Sequence, residues 1–206
     1  AVPHQFFATS MVLTPLVRGL LGLEVDAPAG RLRVAPHMPA DWDTVRVEHL
    51  AVGDARLSLQ LVRRGRELSL SVRREGIEKG RPITVEFAPA LPLGASGMVR
   101  PSDGARLAAR SYPGAVVPAD SAVLGDDVQL AVRWDGGWEV TPPRQAPRIG
   151  DRSSALRIVR ERVEGGRYVV RTEGRAGQAY TLRVRAPRGA PSAVTVLPAQ
   201  QVMMPL

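Results

Sequence analysis

Cysteine is missing from all 206 positions, which excludes disulfides and thiolate metal sites. Lysine is nearly missing too: Lys79 is the only one among 28 basic residues. Aromatic residues are 4% of the chain, and they form no stripe interleaved with basic side chains of the kind RNA-binding sheets use. No apolar run is long enough for a transmembrane helix, because Thr14, Pro15 and Arg18 interrupt the longest one. A secretory leader needs a basic start and a clean apolar segment before a small-residue cleavage site, and the opening AVPHQFF supplies neither. The glycines never fall into G-x-G-x-x-G or a P-loop, so no nucleotide cradle is expected. No serine sits in G-x-S-x-G.

Charge, by contrast, is abundant. The formal net charge is +8, and at that balance nucleic acid or an anionic membrane is the first partner to consider. The arginines are scattered as single positions through strand-like stretches, with pairs only at Arg63-Arg64 and Arg73-Arg74. With no basic tail and no helix-turn-helix pattern, neither nucleic acid nor a membrane is the expected partner.

Two kinds of segment are present. Residues 4–23 carry Phe6, Phe7, Met11, Val12, Leu13, Leu16, Val17, Leu20, Leu21 and Leu23, with Arg18 the one charged position. A helix apolar around most of its circumference is expected to be buried on most sides. Pro15 either kinks it or restarts it with Thr14 as N-cap, and Gly22 suits its C-terminal cap. From Thr44 onward the period changes to two: Val45, Val47, then Leu57, Leu59, Leu61, then Leu68, Leu70, Val72 alternate with polar residues. That alternation means half-buried strands, with VGDA, RRGRE and DGG read as tight turns. About ten to twelve strands at hairpin spacing predict a mainly β chain, an antiparallel β-sandwich preceded by one helix. The stretch between Pro89 and Asp127, rich in proline and glycine, reads as the loop-rich part, in which the pattern places no strand.

The join between helix and strands has a distinctive wording. The run VPHQFFATSMVLTPLVRGLLGLEVDAPAGRLRVAPHMPADWDTVRVEHLAVGD resembles the junction of catalytic barrel and C-terminal β domain in bacterial α/α-barrel glycoside hydrolases of the glycogen-debranching, amylo-α-1,6-glucosidase-like type. Similar wording occurs in α-L-rhamnosidase-like enzymes. The likeness covers roughly residues 2–54; later stretches such as GRAGQAYTLRV resemble the accessory sandwich in character. It implies that residues 1–26 are the last barrel helix and its exit loop, and that 27–206 are the accessory sandwich. It also implies an inverting cleavage of α-linked glucosides by two carboxyl groups about 6.5–9.5 Å apart, with the base glutamate upstream of Ala1 and the catalytic domain preceding this chain. The starting residue, alanine, agrees with a chain that begins inside a larger polypeptide.

Within this chain the residues expected to touch sugar are His4 and Gln5, at the start of the last barrel helix, since each offers donor and acceptor atoms; Ser10 is a weaker candidate. No catalytic acid or base is assignable. Glu24 and Asp26, two residues apart beyond the helix, read as linker rather than as an acid–base pair. Trp42, between Asp41 and Asp43, reads as a packing residue before a sugar platform, and Trp134 and Trp138, flanking DGG, as a cross-strand pair. A second reading keeps an exposed tryptophan as the platform of a carbohydrate-binding module, and a third makes the chain a structural module. His37 and His49 lack a third ligand, so no metal is expected, nor any other cofactor. Met203 and Met204 dock on the sandwich or fray.

Overall fold

Leucines at every second position in two consecutive stretches dictate how the chain begins to fold. Leu57, Leu59 and Leu61 on one strand and Leu68, Leu70 and Val72 on the next are all buried, while Ser58, Gln60, Ser69 and Ser71 between them are not. Burying one such side chain contributes roughly 1.5–3 kcal/mol. The computed structural model describes residues 11–76, 80–143, 150, 155–164, 167–185, 193–196 and 201–205.

Sixteen strands form among the described residues. They are β1 Leu23–Asp26, β2 Arg31–Val34, β3 Thr44–Val52, β4 Ala55–Arg64, β5 Glu67–Glu75, β6 Ile83–Phe87, β7 Leu93–Val99 and β8 Ala109–Tyr112. The second half adds β9 Ala115–Pro118, β10 Asp120–Leu124, β11 Asp127–Thr141, β12 Arg157–Glu164, β13 Arg167–Glu173, β14 Tyr180–Arg185, β15 Ala193–Val196 and β16 Gln201–Pro205. One sheet has the order β1-β2-β6-β10; a second has the order β15-β14-β11-β5-β4-β3, with β7 joined to β11. β12-β13-β16 form a third, and β8 pairs β9. β2 pairs β6 in parallel, while β1–β2, β6–β10, β3–β4, β4–β5, β5–β11, β11–β14, β14–β15, β12–β13 and β13–β16 are antiparallel. The chain is thus mainly β, with antiparallel sheets, as the alternation predicts. The loop-rich stretch between Pro89 and Asp127, where the pattern places no strand, holds β7 to β10, which is why the strand count exceeds the expectation.

Contacts divide the chain into two compact units: Ala1–Leu91, Gly97–Arg110 and Val117–Trp134 in one, Pro92–Ser96, Ser111–Val116 and Asp135–Leu206 in the other. The first buries Leu32, Val34, Leu57, Leu70, Val72, Val85, Phe87 and Val132. The second is centred on Trp138, Val140, Leu156, Tyr168, Val170, Tyr180, Leu182 and Val184.

The turns at VGDA and RRGRE are two-residue hairpin loops, joining β3 to β4 and β4 to β5 as expected. DGG is not a turn. β11 runs through it as one strand, pairing β5 over Asp127–Arg133 and β14 over Glu139–Thr141. Gly136 and Gly137 have φ of 66° and 83°, and a Cβ on Gly136 would lie 3.0 Å from the Gly94 carbonyl oxygen. The pair serves a close backbone approach within a strand rather than a chain reversal. Trp134 and Trp138 consequently lie on the same strand, one in each unit, and the cross-strand pairing expected of them does not occur.

The N-terminal helix also departs from expectation. Residues 11–14 are α-helical and Pro15–Leu20 continue as a π-helix. Thr14 keeps helical angles and makes no side-chain cap, so Pro15 does not restart the helix. Its missing N–H loosens the turn instead, and Leu21 N–H reaches Leu16 O at 3.0 Å, five residues back. Gly22 ends it with φ 57°; His37 N–H then donates to Leu20 O at 2.8 Å and Ala35 N–H to Gly22 O at 3.1 Å. Met11, Val12, Leu13 and Leu16 on this helix are 74%, 65%, 51% and 38% exposed. Residues 23–26, expected as an exit loop, are strand β1. No helix among the described residues is long and apolar enough to cross a membrane.

Candidate functional site

The register of the four-stranded sheet lines up polar side chains from four separate stretches of sequence. One row across β1, β2, β6 and β10 is Glu24, Arg33, Glu86, Ser121; the next is Asp26, Arg31, Thr84, Val123. The alternate positions Leu23, Val34, Phe87, Leu32 and Val85 are buried, which is what fixes the polar set on the opposite face. Arg33 Nε donates to Glu86 Oε1 at 3.2 Å and its Nη1 to Glu24 Oε1 at 3.3 Å, so a single guanidinium bridges two carboxylates. Arg31 and Asp26 stand 3.7 Å apart. Exposed pairs of this kind add roughly 0.2–1 kcal/mol each. Their larger consequence is geometric, because the rows form the wall of a cleft of about 820 Å³.

Asp120, at the cleft's edge, is anchored from the other side. Arg100 Nε and Nη2 donate to its two oxygens at 2.8 and 2.6 Å, while Arg100 Nη1 donates to Asp103 at 2.8 Å. The Arg100 hydrogen bonds hold the Asp120 carboxyl below the usual range, against the opposing effect of burial. Asp103 is lowered as well, first by the Ala105 N–H and then by Arg100. A forked, charge-assisted contact of this kind fixes orientation as well as distance, and it sets the start of β10.

A second polar cluster lies on β3, β4 and β5. His49 is the one non-glycine residue with positive φ, 58°, among the described residues, at the irregularity between Val47 and Leu50 in the β3–β4 ladder. Glu75 secures this strained backbone, accepting the His49 N–H at 3.0 Å and lying 2.7 Å from its Nδ1. The Ser58 hydroxyl donates to the same carboxylate. Ser58 first, then His49, pull the Glu75 carboxyl down to about 2. Serine and histidine both address the glutamate and not each other, so the nucleophile–base relay of covalent catalysis is not formed.

The third cluster is enclosed in the second unit. Trp138 and Tyr168 stack with ring centroids 5.5 Å apart and planes 11° from parallel. Trp138 Nε1, Tyr168 Oη and Thr172 Oγ1 are buried without a hydrogen-bond partner among the described residues. Burial pushes the Glu161 carboxyl up; the nearby Tyr168 hydroxyl works against this, and Glu139 adds to it. Burial raises the Tyr168 hydroxyl as well.

His4, Gln5 and Ser10 lie outside the described residues. Glu24 and Asp26 are brought to the cleft, not as a linker but as ladder members on β1. Acid–base hydrolysis needs one carboxyl kept protonated beside another that is ionised; Glu24 and Glu86 share one arginine, a setting for binding rather than for proton delivery. Trp42 is half-buried, with its N–H on Pro39 O at 3.0 Å, and is not part of the cleft wall. Trp134, 3% exposed, packs under the Arg63 guanidinium, 5.5 Å from the ring centroid. Met203 and Met204 sit on β16, paired with Val169 and Tyr168 of β13. No group of three metal-binding side chains is present among the described residues. Arg31, Arg33, Thr84, Glu86 and Ser121 are missed by reading the sequence alone. The alternation in RLRV and ITVEF does place each pair on one face, but the parallel pairing of β2 with β6 leaves no local mark. Compared with family models, curated proteins and solved structures, the chain matches none of them.

Proposed function

We propose that this chain is the accessory β portion of a glycoside hydrolase that acts on α-linked glucosides, of the debranching, amylo-α-1,6-glucosidase type, and that it does not itself hydrolyse sugar. The observation that carries the reading is the exposed apolar helix: Met11, Val12 and Leu13 are more than half exposed and Leu16 is 38% exposed. Full burial of an exposed side chain of this size is worth roughly 1.5–3 kcal/mol and each of these would gain the part it still lacks, so the helix is suited to being covered. The resemblance at the helix–sheet junction supplies the cover, the remaining helices of an α/α barrel carrying the two carboxyl groups. Two further observations support the division of labour. The exposed carboxylates of the cleft are bonded to arginine, and Trp134 and Trp138, at 3% and 2% exposure, are not presented as sugar platforms.

The test is glucose release from isomaltose-type dextrins, maltooligosaccharides and aryl glucosides, by these 206 residues and by the full product of the gene. The expected result is turnover by the full product alone, abolished by substituting a glutamate upstream of Ala1. Turnover by the 206 residues alone overturns the division of labour. A full product without helical hairpins, or inert on every glucoside, overturns the reading itself.

A further inference from the structure

The cleft over β1, β2, β6 and β10 has a marked chemical bias. Glu24, Asp26 and Glu86 can only accept hydrogen bonds when ionised, Arg31 and Arg33 can only donate, and the hydroxyls of Thr84 and Ser121 do both. These types alternate across the sheet. An anion that reaches Arg33 meets Glu24 and Glu86, which already hold it at 3.3 and 3.2 Å; a cation that reaches either glutamate meets Arg33. Neither sign of charge is therefore welcome. A neutral ligand is, provided it can donate and accept at neighbouring atoms, because Arg33 has five N–H donors and the carboxylates have spare lone pairs. Adjacent hydroxyl groups on a sugar ring have that property. The volume of about 820 Å³ falls within the range of small-molecule sites, roughly 300–1,000 Å³.

From this arrangement we propose that the cleft binds a short neutral oligosaccharide, its hydroxyls bridging carboxylate and guanidinium along the Glu24–Arg33–Glu86–Ser121 row. The inference deepens the function proposed above and rests on it for the choice of an α-glucan as the sugar; the site itself rests on the cleft. No aromatic side chain lines the wall, so the rings are held by their hydroxyls and not by stacking. Binding is accordingly weak, on the order of millimolar.

The experiment is a titration of the 206-residue chain with maltotriose and with isomaltotriose, followed through its amide chemical shifts by NMR. Saturable shifts are expected together at residues 24–33, 84–86 and 119–121. Thr84→Trp and Ser121→Trp, both at exposed strand positions, fill the cleft and are expected to weaken binding by about tenfold or more while leaving the urea midpoint in place. Glu86→Gln keeps the shape and an acceptor for Arg33 Nε but removes the charge, and weakens binding less. The proposal is overturned if the sugars move none of these amides, if the filled clefts bind as well as the original, or if inorganic sulfate outcompetes both sugars. Those results say nothing against glucose release by the full gene product, so the two proposals fail separately.

Discussion

The two compact units differ in how fully they satisfy their buried polar groups. In the first, the side chain of Asp120 is 6% exposed, and its two oxygens meet two nitrogens of Arg100. In the second, Trp138 Nε1, Tyr168 Oη and Thr172 Oγ1 are as deeply buried and make no hydrogen bond among the described residues. An unanswered buried donor or acceptor costs about 1–3 kcal/mol, whereas a satisfied pair specifies one geometry. Order in the first unit is thus set partly by directed polar contacts. The second satisfies the buried Tyr180 hydroxyl, which accepts the Arg175 N–H at 3.0 Å and donates to Gln178 at 3.2 Å, but relies on apolar and aromatic packing around three polar atoms that lack a hydrogen bond.

The largest expected effect tests that reliance. Trp138→Ala removes the stacked partner of Tyr168 and leaves a cavity in the second core, and is expected to cost about 3–5 kcal/mol, read as a lower urea midpoint with lost hydrogen-exchange protection at Val169–Thr172. Trp138→Phe keeps a ring on Tyr168 and deletes the orphaned N–H, so its loss should be clearly smaller. Equal losses from the two substitutions would mean that the indole N–H has a partner after all.

Next in size is Asp120→Ala in the first unit. Breaking a buried pair costs about 3–5 kcal/mol, but Arg100 is 35% exposed and keeps Asp103, so about 2 kcal/mol is expected. Asp120→Asn, which still accepts from Arg100, should lose less. If the alanine variant is neutral by urea unfolding, polar specification of the first unit is wrong.

How far this contrast was legible in the sequence depends on range. Alternation located β3, β4 and β5 and their glycine turns, because a buried face at every second position is a local property. Glu24 and Asp26 drew attention as a carboxylate pair, yet their role depends on Arg33 and Arg31 across a strand pair, and that of Glu86 on a partner some fifty residues away. The partnership of Arg100 with Asp120 crosses a stretch whose prolines read as loop. DGG misled for a physical reason: the same freedom at positive φ that makes a tight turn also admits the Gly94 backbone against a continuing strand. The Gly136→Ala substitution sharpens that point, with an expected cost of roughly 1–2 kcal/mol from the left-handed backbone alone and more from the 3.0 Å contact with Gly94 O. Thermal unfolding measures it, and a neutral result would return the glycine to an ordinary turn role.

The smallest effects come from protons, and here the two units should differ in sign. The carboxyl of Glu75, in the first, is lowered from its ordinary 4.5 to about 2. The unfolded chain then binds its proton at higher pH than the folded one, so its contribution is complete above pH 4.5 and is lost as the pH falls toward 2. Asp120 is lowered too and loses its contribution in the same acid direction. Glu161, in the second, is raised by burial: the folded state holds its proton longer, so stability is greatest below about 4.5 and declines as the pH rises through the shifted value. Glu161→Gln removes the ionisation and is expected to stabilise the protein at neutral pH by up to about 1 kcal/mol, with no gain at pH 4. Glu75→Gln should do the reverse, weakening the protein at neutral pH and flattening its acid limb. Hydrogen exchange at Leu59–Leu61 and Val169–Thr172, followed from pH 3 to 7 in both variants, reads the units separately; parallel pH profiles at the two places would remove the difference in how they hold charge.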